Sequence, residues 1–231
     1  MQHIQGIVCS NMIDGRLINF FVKTPNDVIQ AHHFSGQFYE PEELAIISRY
    51  FERGSIFADI GANVGNHSVY VGCFLNPACI IPIEPNPVAI PYLKLNLQLN
   101  NLAALVDDTK LGIGLSNHFG FAKPFTPAST NLGETIMQVD QENGTIPILL
   151  GDIAFEGKHV DFLKIDVETM EINVLTGLAN LIARCRPKIF VEVDKKNFSD
   201  FEKWCENNGY SVAERFKRYD QNENYMLIPL S

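Results

Sequence analysis

Residues 57–66, which read FADIGANVGN, constrain the fold of this chain more than any other segment. Apolar residues lead into Asp59, and Gly61 and Gly65 follow it at a separation of four positions. Glycine has no Cβ atom, so the backbone turns tightly there and approaches a ligand closely. The segment therefore predicts a strand, a glycine turn and a helix whose first N–H groups face a bound ligand.

A second acidic position supports the same architecture. Glu84 lies 19 positions after Gly65, at the end of the apolar residues 78–83. At this spacing the next strand of a doubly wound sheet brings a carboxylate to the hydroxyls of a ribose. The dinucleotide fingerprint GxGxxG would need glycine at positions 63 and 66, which are Asn63 and Asn66 here. The pattern favours a nucleoside without a diphosphate, and S-adenosylmethionine is the commonest such ligand of this architecture.

Composition sets the outer limits. A chain of 231 residues with 46% hydrophobic residues can bury one sizeable core, so a single domain is expected. The net charge of −9 argues against nucleic acid as a partner, because phosphates call for clustered Lys and Arg. Five cysteines without a CxxC pair suggest neither a disulfide framework nor a zinc cluster. No signal peptide or membrane span is apparent, so a cytoplasmic protein is the expectation.

The order of apolar segments predicts an α/β chain with a doubly wound, mostly parallel Rossmann-like sheet and helices on both faces. Residues 1–53 are expected to form an N-terminal extension of a β-hairpin, turning at Asp14-Gly15, and a helix after Pro41. Residues 54–231 are expected to form the core. Its predicted strands are 56–60, 78–83, 105–111, 160–167 and 188–193, followed by an antiparallel pair at 211–216 and 225–228. Its predicted helices are 66–75, 88–100, one lined by residues 170–182, and 198–208.

Four acidic residues fall at or near the carboxyl ends of predicted parallel strands: Asp59, Glu84, Asp166 and Glu192. Ligands of open α/β sheets bind outside those ends. Taken singly, each acid has an equally good alternative, which is to cap the next helix or to pair with a lysine.

Lys164 shares a side of its predicted strand with Asp166, so it enters a sheet that is covered on both faces. A buried ammonium is costly unless it is paired. The candidate partners are Asp166, Glu168, Glu171 and Glu192. A stabilising ion pair and a catalytic role both remain open for this lysine.

Taken together, these motifs resemble the successive motifs of the FkbM family of S-adenosylmethionine-dependent methyltransferases. The resemblance covers about residues 36–194. It rests on DIGANVG at 59–65, IEPNP at 83–87, LKIDVE at 163–168, Glu171, Val174-Leu175-x-Gly177, Pro187 and Glu192. It implies a class I methyltransferase fold and O-methylation of a sugar, glycolipid or macrolide-type natural product. One departure is Thr169, where the family usually has glycine.

The resemblance also implies a set of cofactor-binding residues. Asp59, Gly61, Asn63 and Gly65 would surround the methionine part, Glu84 would hold the ribose hydroxyls and Asn86 would sit beside them. Ala62, Asn66 and Pro85, in the same loops, complete the predicted set.

A hydroxyl acceptor must be aligned with the donor and must lose its proton to a base. Asp166 is the first choice for this role, with Glu192 and Lys164 behind it. The partner is a small-molecule or glycan acceptor, and the sequence does not predict an oligomeric state. No metal is predicted, since no spacing of ligands demands one. Substrate identity is expected to reside in residues 119–137 and in Phe34, Phe38 and Tyr39.

Two histidines and two competing functions complete the expectations. His32 and His33 are expected at the surface or in the hairpin, because adjacent strand residues point to opposite faces. A nicotinamide-dependent Rossmann oxidoreductase is the rival enzyme class, disfavoured by Asn63 and Asn66. A nucleoside-binding protein without catalysis is the non-enzyme alternative, supported by Thr169.

Overall fold

The structure, a computed structural model, describes residues 5–125 and 135–230. The strands are β1 (Ile7–Ile13), β2 (Arg16–Val22), β3 (Ile56–Ile60), β4 (Cys79–Ile83), β5 (Gly114–Ser116), β6 (Gly120–Phe125), β7 (Ile136–Val139), β8 (Ile146–Leu150), β9 (Phe162–Ile165), β10 (Lys188–Asp194), β11 (Tyr210–Phe216) and β12 (Asn222–Pro229). The helices are α1 (Val28–Phe34), α2 (Pro41–Tyr50), α3 (Asn66–Tyr70), α4 (Ile90–Leu99), α5 (Gly151–Ala154), α6 (Glu171–Gly177), α7 (Ala179–Cys185) and α8 (Phe198–Asn208).

A six-stranded sheet forms the centre of the fold, in the order β11-β12-β10-β9-β3-β4. The neighbours β10, β9, β3 and β4 are parallel, whereas β12 pairs antiparallel with both β10 and β11. This is the predicted mostly parallel sheet with an antiparallel last strand. All parallel strands end at the same edge, so residues that follow them converge there.

Helices and apolar side chains cover both faces of this sheet. The core strands read as continuous apolar runs because neither face meets water. On one face Leu163 packs in a cluster with Leu175 of α6 and Trp204 of α8. On the other face Phe57 and Phe162 pack in a cluster with residues of α2, including Ile47.

The predicted strand at 105–111 is wrong. Only Val106 pairs with β4, through a single parallel bridge to Ile80, and short 3-10 turns lie on either side at Ala103–Leu105 and Asp108–Lys110. The Asp107 side chain accepts hydrogen bonds from the backbone N–H and the hydroxyl of Thr109, which turns the chain away from the sheet.

The N-terminal hairpin forms as predicted, with β1 and β2 in a separate two-stranded sheet. Asp14 and Gly15 both have positive φ, as a two-residue hairpin turn of this kind requires. Asparagines of α4 hold the hairpin to the core, because Asn96 accepts from Phe21 N and donates to Val64 O.

His33 corrects the expectation of a surface or hairpin position. It lies on α1, fully buried, and its ring stacks on Phe20 at a centroid distance of 4.0 Å. Its Nε2 lies 3.1 Å from Asn66 Oδ1, which already accepts from Tyr39 N, so Nε2 is the donor. Burial lowers the pKa of His33 to about 4, which keeps the ring neutral.

The chain between β5 and β8 forms a small second sheet in the order β5-β8-β6-β7. It contains part of the predicted recognition segment 119–137, while residues 126–134 lie outside the described residues. Of the aromatic residues expected to face this segment, Phe38 is instead buried beside Phe20, Tyr70 and Phe74. None of the helices in the described ranges combines the length and apolar character needed to cross a bilayer.

Candidate active site

A cavity of about 540 Å³ lies at the carboxyl ends of the parallel strands. Its floor is formed by residues that follow β4, β3 and β9, together with Glu192 within β10. Tyr39 and Glu40 close it from the N-terminal side, Met137 and Ile148 from the small sheet, and Tyr219 and Asn222 from the β11–β12 hairpin. The cavity therefore lies where ligands of α/β sheets bind.

Most of the residues predicted for the cofactor line this cavity: Gly61, Ala62, Asn63, Asn66, Glu84, Pro85 and Asn86. The predicted catalytic residues Asp166, Glu192 and Lys164 line it as well. Asp59 and Gly65 do not belong to the lining.

The glycine turn after β3 depends on both of its glycines. Gly61 has φ of +82°, and a Cβ atom there would lie 1.8 Å from the backbone oxygen of Asp166. Gly65 has φ of +89°, and its Cβ would lie 2.8 Å from Leu93 Cδ1. Gly61 thus lets the turn approach β9, and Gly65 lets it approach α4. Gly65 does not line the cavity, and its contact with the cofactor stays a prediction.

Glu84 is held in a fixed orientation at the end of β4. The backbone N–H of Asn63 donates to Oε2 and that of Asn86 donates to Oε1, each at 2.7 Å. Each carboxylate oxygen retains a lone pair for a further donor. Burial raises the pKa of Glu84 to about 7, against the effect of these hydrogen bonds. The arrangement fits the two adjacent hydroxyls of a ribose.

An apolar wall beside Glu84 was missed by the sequence interpretation. A Cβ atom added to Gly114 would lie 3.7 Å from Ile148 Cγ1 and 4.0 Å from Pro85 Cβ, so these residues are neighbours. Leu115 and Met137 also line the cavity. Such a surface suits the faces of a nucleoside base. The short strands β5 and β8 pair Gly114 with Ile148, 34 positions further along the chain, and no local sequence signal marks that pairing.

Lys164 meets a carboxylate, as its burial predicted. Its ammonium donates to Asp166 Oδ2 at 3.2 Å and to the Gly61 carbonyl at 3.0 Å, and lies 3.5 Å from Asp59 Oδ1. Burial by itself lowers the pKa of Lys164, but the charges of Asp166, Asp59 and Glu40 raise it above its ordinary value. Lys164 therefore stays charged and joins the tip of β9 to the glycine turn.

Asp59 lies beneath the cavity rather than on its surface. It is 0% exposed, and its Oδ2 accepts from the Ser68 hydroxyl at 2.6 Å. Its predicted contact with the methionine part is therefore replaced by an indirect role. It supports Lys164 from below and ties β3 to α3.

Asn66 and Glu171 also have clear structural partners. Asn66 lines the cavity, but its side chain bonds to both backbone groups of Tyr39 and to His33. It braces the N-terminal extension against α3. Glu171 is buried and accepts from Asp194 N and from Asn197 Nδ2, so it is not the partner of Lys164.

Glu40 and His67 form a polar corner of the cavity, and the sequence interpretation gave Glu40 no role in the site. Glu40 has φ of +58°, an uncommon conformation for a residue with a side chain. His67 Nε2 lies 3.8 Å from Glu40 Oε2 and has no hydrogen-bond partner among the described residues. Burial raises the pKa of Glu40 to about 8, with Asp166 adding to the effect, and burial lowers the pKa of His67 well below its usual value.

Glu192 faces the cavity from β10. Burial raises the pKa of its carboxyl to about 9, and the charges of Asp166, Glu40 and Glu168 act in the same direction. Together, Asp166, Glu40, Glu168 and Glu192 make this end of the cavity strongly acidic. No three His, Cys, Asp or Glu side chains of residues 5–125 and 135–230 are arranged to hold a metal ion.

Thr169, the departure from the family pattern, has φ of +74°. Glu168 before it also has positive φ, at +43°. This backbone region favours glycine, the residue that the family resemblance implies at this position. Thr169 adopts the same turn at the cost of strain.

Comparison with known proteins agrees with this geometry. The family described as "Methyltransferase FkbM domain" matches residues 59–212. "Methyltransferase 1" of Beauveria bassiana is 24% identical over 187 residues, which are 71% of this chain and 75% of that protein. "Hexuronic acid methyltransferase AglP" of Haloferax volcanii is 24% identical over 173 residues, or 74% of this chain and 68% of that protein.

Solved structures show the same fold. TYW2 of M. jannaschii, crystallised in complex with AdoMet, superposes with a TM-score of 0.52 at 14% identity, covering 100% of this chain and 90% of TYW2. The tRNA m1G37 methyltransferase of M. jannaschii gives 0.55 at 16% identity, covering 99% of this chain and 56% of that one. The fold is that of class I methyltransferases.

Proposed function

The chain belongs to the FkbM family of methyltransferases, and on that premise we propose that it methylates a hydroxyl group of a sugar, a glycolipid or a related natural product. Its cofactor is S-adenosylmethionine. The observation that supports this proposal most directly is the pairing, in one cavity, of a fixed carboxylate at Glu84 with a second group of acids around Asp166.

Bound S-adenosylmethionine supplies an electrophilic methyl group on a sulfonium centre. Glu84 accepts hydrogen bonds from the ribose hydroxyls, and the apolar wall at Pro85 and Ile148 covers the base. Gly61 and Asn63, in the turn after β3, would contact the methionine part of the cofactor. These residues would hold the cofactor, and Asp166 lines the same cavity.

Asp166 would position the acceptor hydroxyl and would take its proton during methyl transfer. Lys164 fixes one carboxylate oxygen of Asp166 through the 3.2 Å contact and leaves the other for the acceptor. Glu192, on the neighbouring strand, contacts the acceptor from the other side. The walls formed by Tyr39 and Tyr219, whose hydroxyls are 2.9 Å apart, limit the access of water.

The acceptor class is supported by AglP, whose name describes a methyltransferase of a sugar acid. The charge of this chain argues against a nucleic acid acceptor. The net charge is −9, and Lys164 is the only Lys or Arg among the described residues that line the cavity, so phosphates would find few cationic partners there. We therefore infer a small-molecule or glycan acceptor.

The experiment is transfer of a labelled methyl group from S-adenosylmethionine to a panel of monosaccharides, glycosides and hydroxylated lipids, with products located by mass spectrometry and NMR. The native protein is expected to yield a methyl ether. Asp166→Asn is expected to lower kcat at least about 100-fold, which is typical for loss of a general base, while the Kd for the cofactor changes less than about threefold. Unchanged turnover in Asp166→Asn would remove the assigned role, and cofactor binding without turnover on any acceptor would indicate a binding protein.

A further inference from the structure

The cavity has two ends, and the sheet order places them apart. Glu84 follows β4, whereas Glu192 lies on β10, three strands away in the order β4-β3-β9-β10. Neighbouring strands are about 4.8 Å apart, so the two ends are separated by roughly 14 Å. Because Glu84 is assigned to the ribose of the cofactor, we assign the end of the cavity beside β9 and β10 to the acceptor.

Three carboxyl groups that no Lys or Arg of the described lining residues is free to pair with lie at the acceptor end. They belong to Glu40, Asp166 and Glu192. Lys164 is the only Lys or Arg among the described lining residues, and its ammonium is already engaged by Asp166, Asp59 and the Gly61 carbonyl. Residues 126–134, TPASTNLGE, contain no Lys or Arg either. An acceptor carboxylate would therefore lie beside acidic side chains and would find no uncommitted Lys or Arg among the described lining residues.

His67 provides a second, independent indication that this end awaits a ligand. Its side chain is 7% exposed and lines the cavity, with Nε2 unpartnered among the described residues and 3.8 Å from Glu40 Oε2. A buried polar atom without a partner is costly, and a ligand donor between His67 and Glu40 would remove that cost. Because burial keeps His67 neutral by lowering its pKa, the ring does not offset the charge of Glu40.

The charge of the cofactor does not balance these acids. S-adenosylmethionine carries one net positive charge, whereas the carboxyl groups of Glu40, Asp166 and Glu192 line this end. Burial, with repulsion from Asp166, raises the pKa values of Glu40 and Glu192 to about 8 and about 9, although the charge of Lys164 acts in the opposite direction. A cationic group bound beside them would favour their charged forms.

We propose that the acceptor carries a protonated amine close to the hydroxyl that is methylated, as in an amino sugar, and that a uronic acid is rejected. The inference rests on the proposed hydroxyl methylation and narrows its substrate class. Glu192 and Glu40 contact the ammonium, while Asp166 contacts the hydroxyl. The acceptor preference thus differs from the sugar acid in the name of AglP.

The test compares three probes that share one ring: D-glucosamine, D-glucose and D-glucuronate. Binding to protein saturated with S-adenosylmethionine is measured by calorimetry and by thermal shift at about pH 7 and fixed ionic strength. Glucosamine is expected to bind at least about tenfold more tightly than glucose, and glucuronate at least about tenfold more weakly, since a single desolvated charge contact is worth this much.

Two variants with equal net charge identify the contact. Glu192→Gln is expected to reduce the preference for glucosamine over glucose to less than about threefold. Glu206→Gln, which removes an exposed carboxylate of α8, is expected to keep the full preference for glucosamine over glucose. Equal binding of glucose and glucosamine, tighter binding of glucuronate, or no binding of any probe would overturn the proposal.

Product analysis separates this inference from the proposed function. Preference for glucosamine with the methyl group on nitrogen would contradict hydroxyl methylation and leave the charge inference standing. Methyl ether formation on glucuronate would support hydroxyl methylation and contradict the preference for a protonated amine.

Discussion

Glu84 is the residue that we propose to bind the ribose of the cofactor, and both of its carboxylate oxygens are oriented by backbone N–H groups. In Glu84→Gln the amide NH2 faces one of those donors and accepts no hydroxyl. Loss of hydrogen bonds to a charged acceptor costs about 1.5–3 kcal/mol. Calorimetry is therefore expected to show a Kd for S-adenosylmethionine raised about 10- to 100-fold, with Glu156→Gln, at an exposed position, as the control.

The same residue predicts the pH dependence of binding. With a pKa of about 7, the Glu84 carboxyl of the free protein takes up a proton as the pH falls below that value. The protonated form accepts hydroxyl donors less well, so cofactor affinity is expected to decrease from about pH 8 to about pH 6. Glu84→Gln is expected to lack this dependence. An equal slope in both proteins would assign the titration to another group.

Thr169 stores strain that glycine would release. Its φ of +74° costs about 1–3 kcal/mol for a residue with a side chain, against about 0.5–1 kcal/mol for the greater freedom of glycine in the unfolded chain. Thr169→Gly is expected to raise the free energy of unfolding by about 1 kcal/mol and Tm by about 2–4 °C. Thr176→Gly, within α6, is the matched control and is expected to lower stability. A decrease in Tm for Thr169→Gly would show that the turn tolerates threonine without strain.

At the level of helices and strands, the order of elements could be predicted where apolar runs end in turn residues. The residues 56–60, 78–83 and 188–193 were identified as strands in this way, and their tips carry Asp59, Glu84 and Glu192. The prediction of a strand at 105–111 is wrong because the Asp107 side chain accepts a hydrogen bond from Thr109. Such local hydrogen bonds compete with strand pairing, and the apolar pattern of a sequence does not reveal them.

The parts of the site that the sequence missed come from distant segments. Glu40, Tyr219 and Ile148 reach the cavity from the N-terminal extension, the last hairpin and the small sheet. Their contribution depends on packing between elements, which spacing along the chain does not encode. For Asp59 the sequence predicted the position at the strand tip but not the direction of the side chain. That side chain contacts Lys164 and Ser68 below the cavity.

Arg218, in the turn between β11 and β12, joins this hairpin to α2. Its guanidinium donates to both oxygens of Glu43, at 2.8 and 2.6 Å, and to exposed Glu42. Glu43 is 1% exposed, so Arg218→Ala leaves a buried carboxylate unpaired and is expected to cost about 3–5 kcal/mol in urea unfolding. Arg218→Ala/Glu43→Gln is expected to recover much of this loss, and Glu42→Gln to change stability by less than about 0.5 kcal/mol. Equal effects of Glu42→Gln and Arg218→Ala would contradict the assignment.

The N-terminal extension and the core share one apolar interior. Ile18, Phe20 and Phe38 of the extension belong to the same buried cluster as Val69 and Leu93 of the core. Tyr39 and Glu40 of the extension also line the active-site cavity. The extension is therefore an integral part of the fold, and we expect the chain to unfold as one unit.

Two neighbouring residues of β2 test this unity. Ile18 is 1% exposed and packs against the core, whereas Leu17 is 59% exposed. Ile18→Ala removes buried methyl groups and is expected to lower the free energy of unfolding by about 2–5 kcal/mol.

Trp204, the only tryptophan, lies on the opposite face of the sheet in α8, so its fluorescence reports the core rather than the hairpin. In one cooperative unit the fluorescence transition of Ile18→Ala falls together with the circular dichroism transition, while Leu17→Ala leaves both in place. A separate early transition in circular dichroism, with the Trp204 signal unchanged, would instead make residues 1–53 an independent unit.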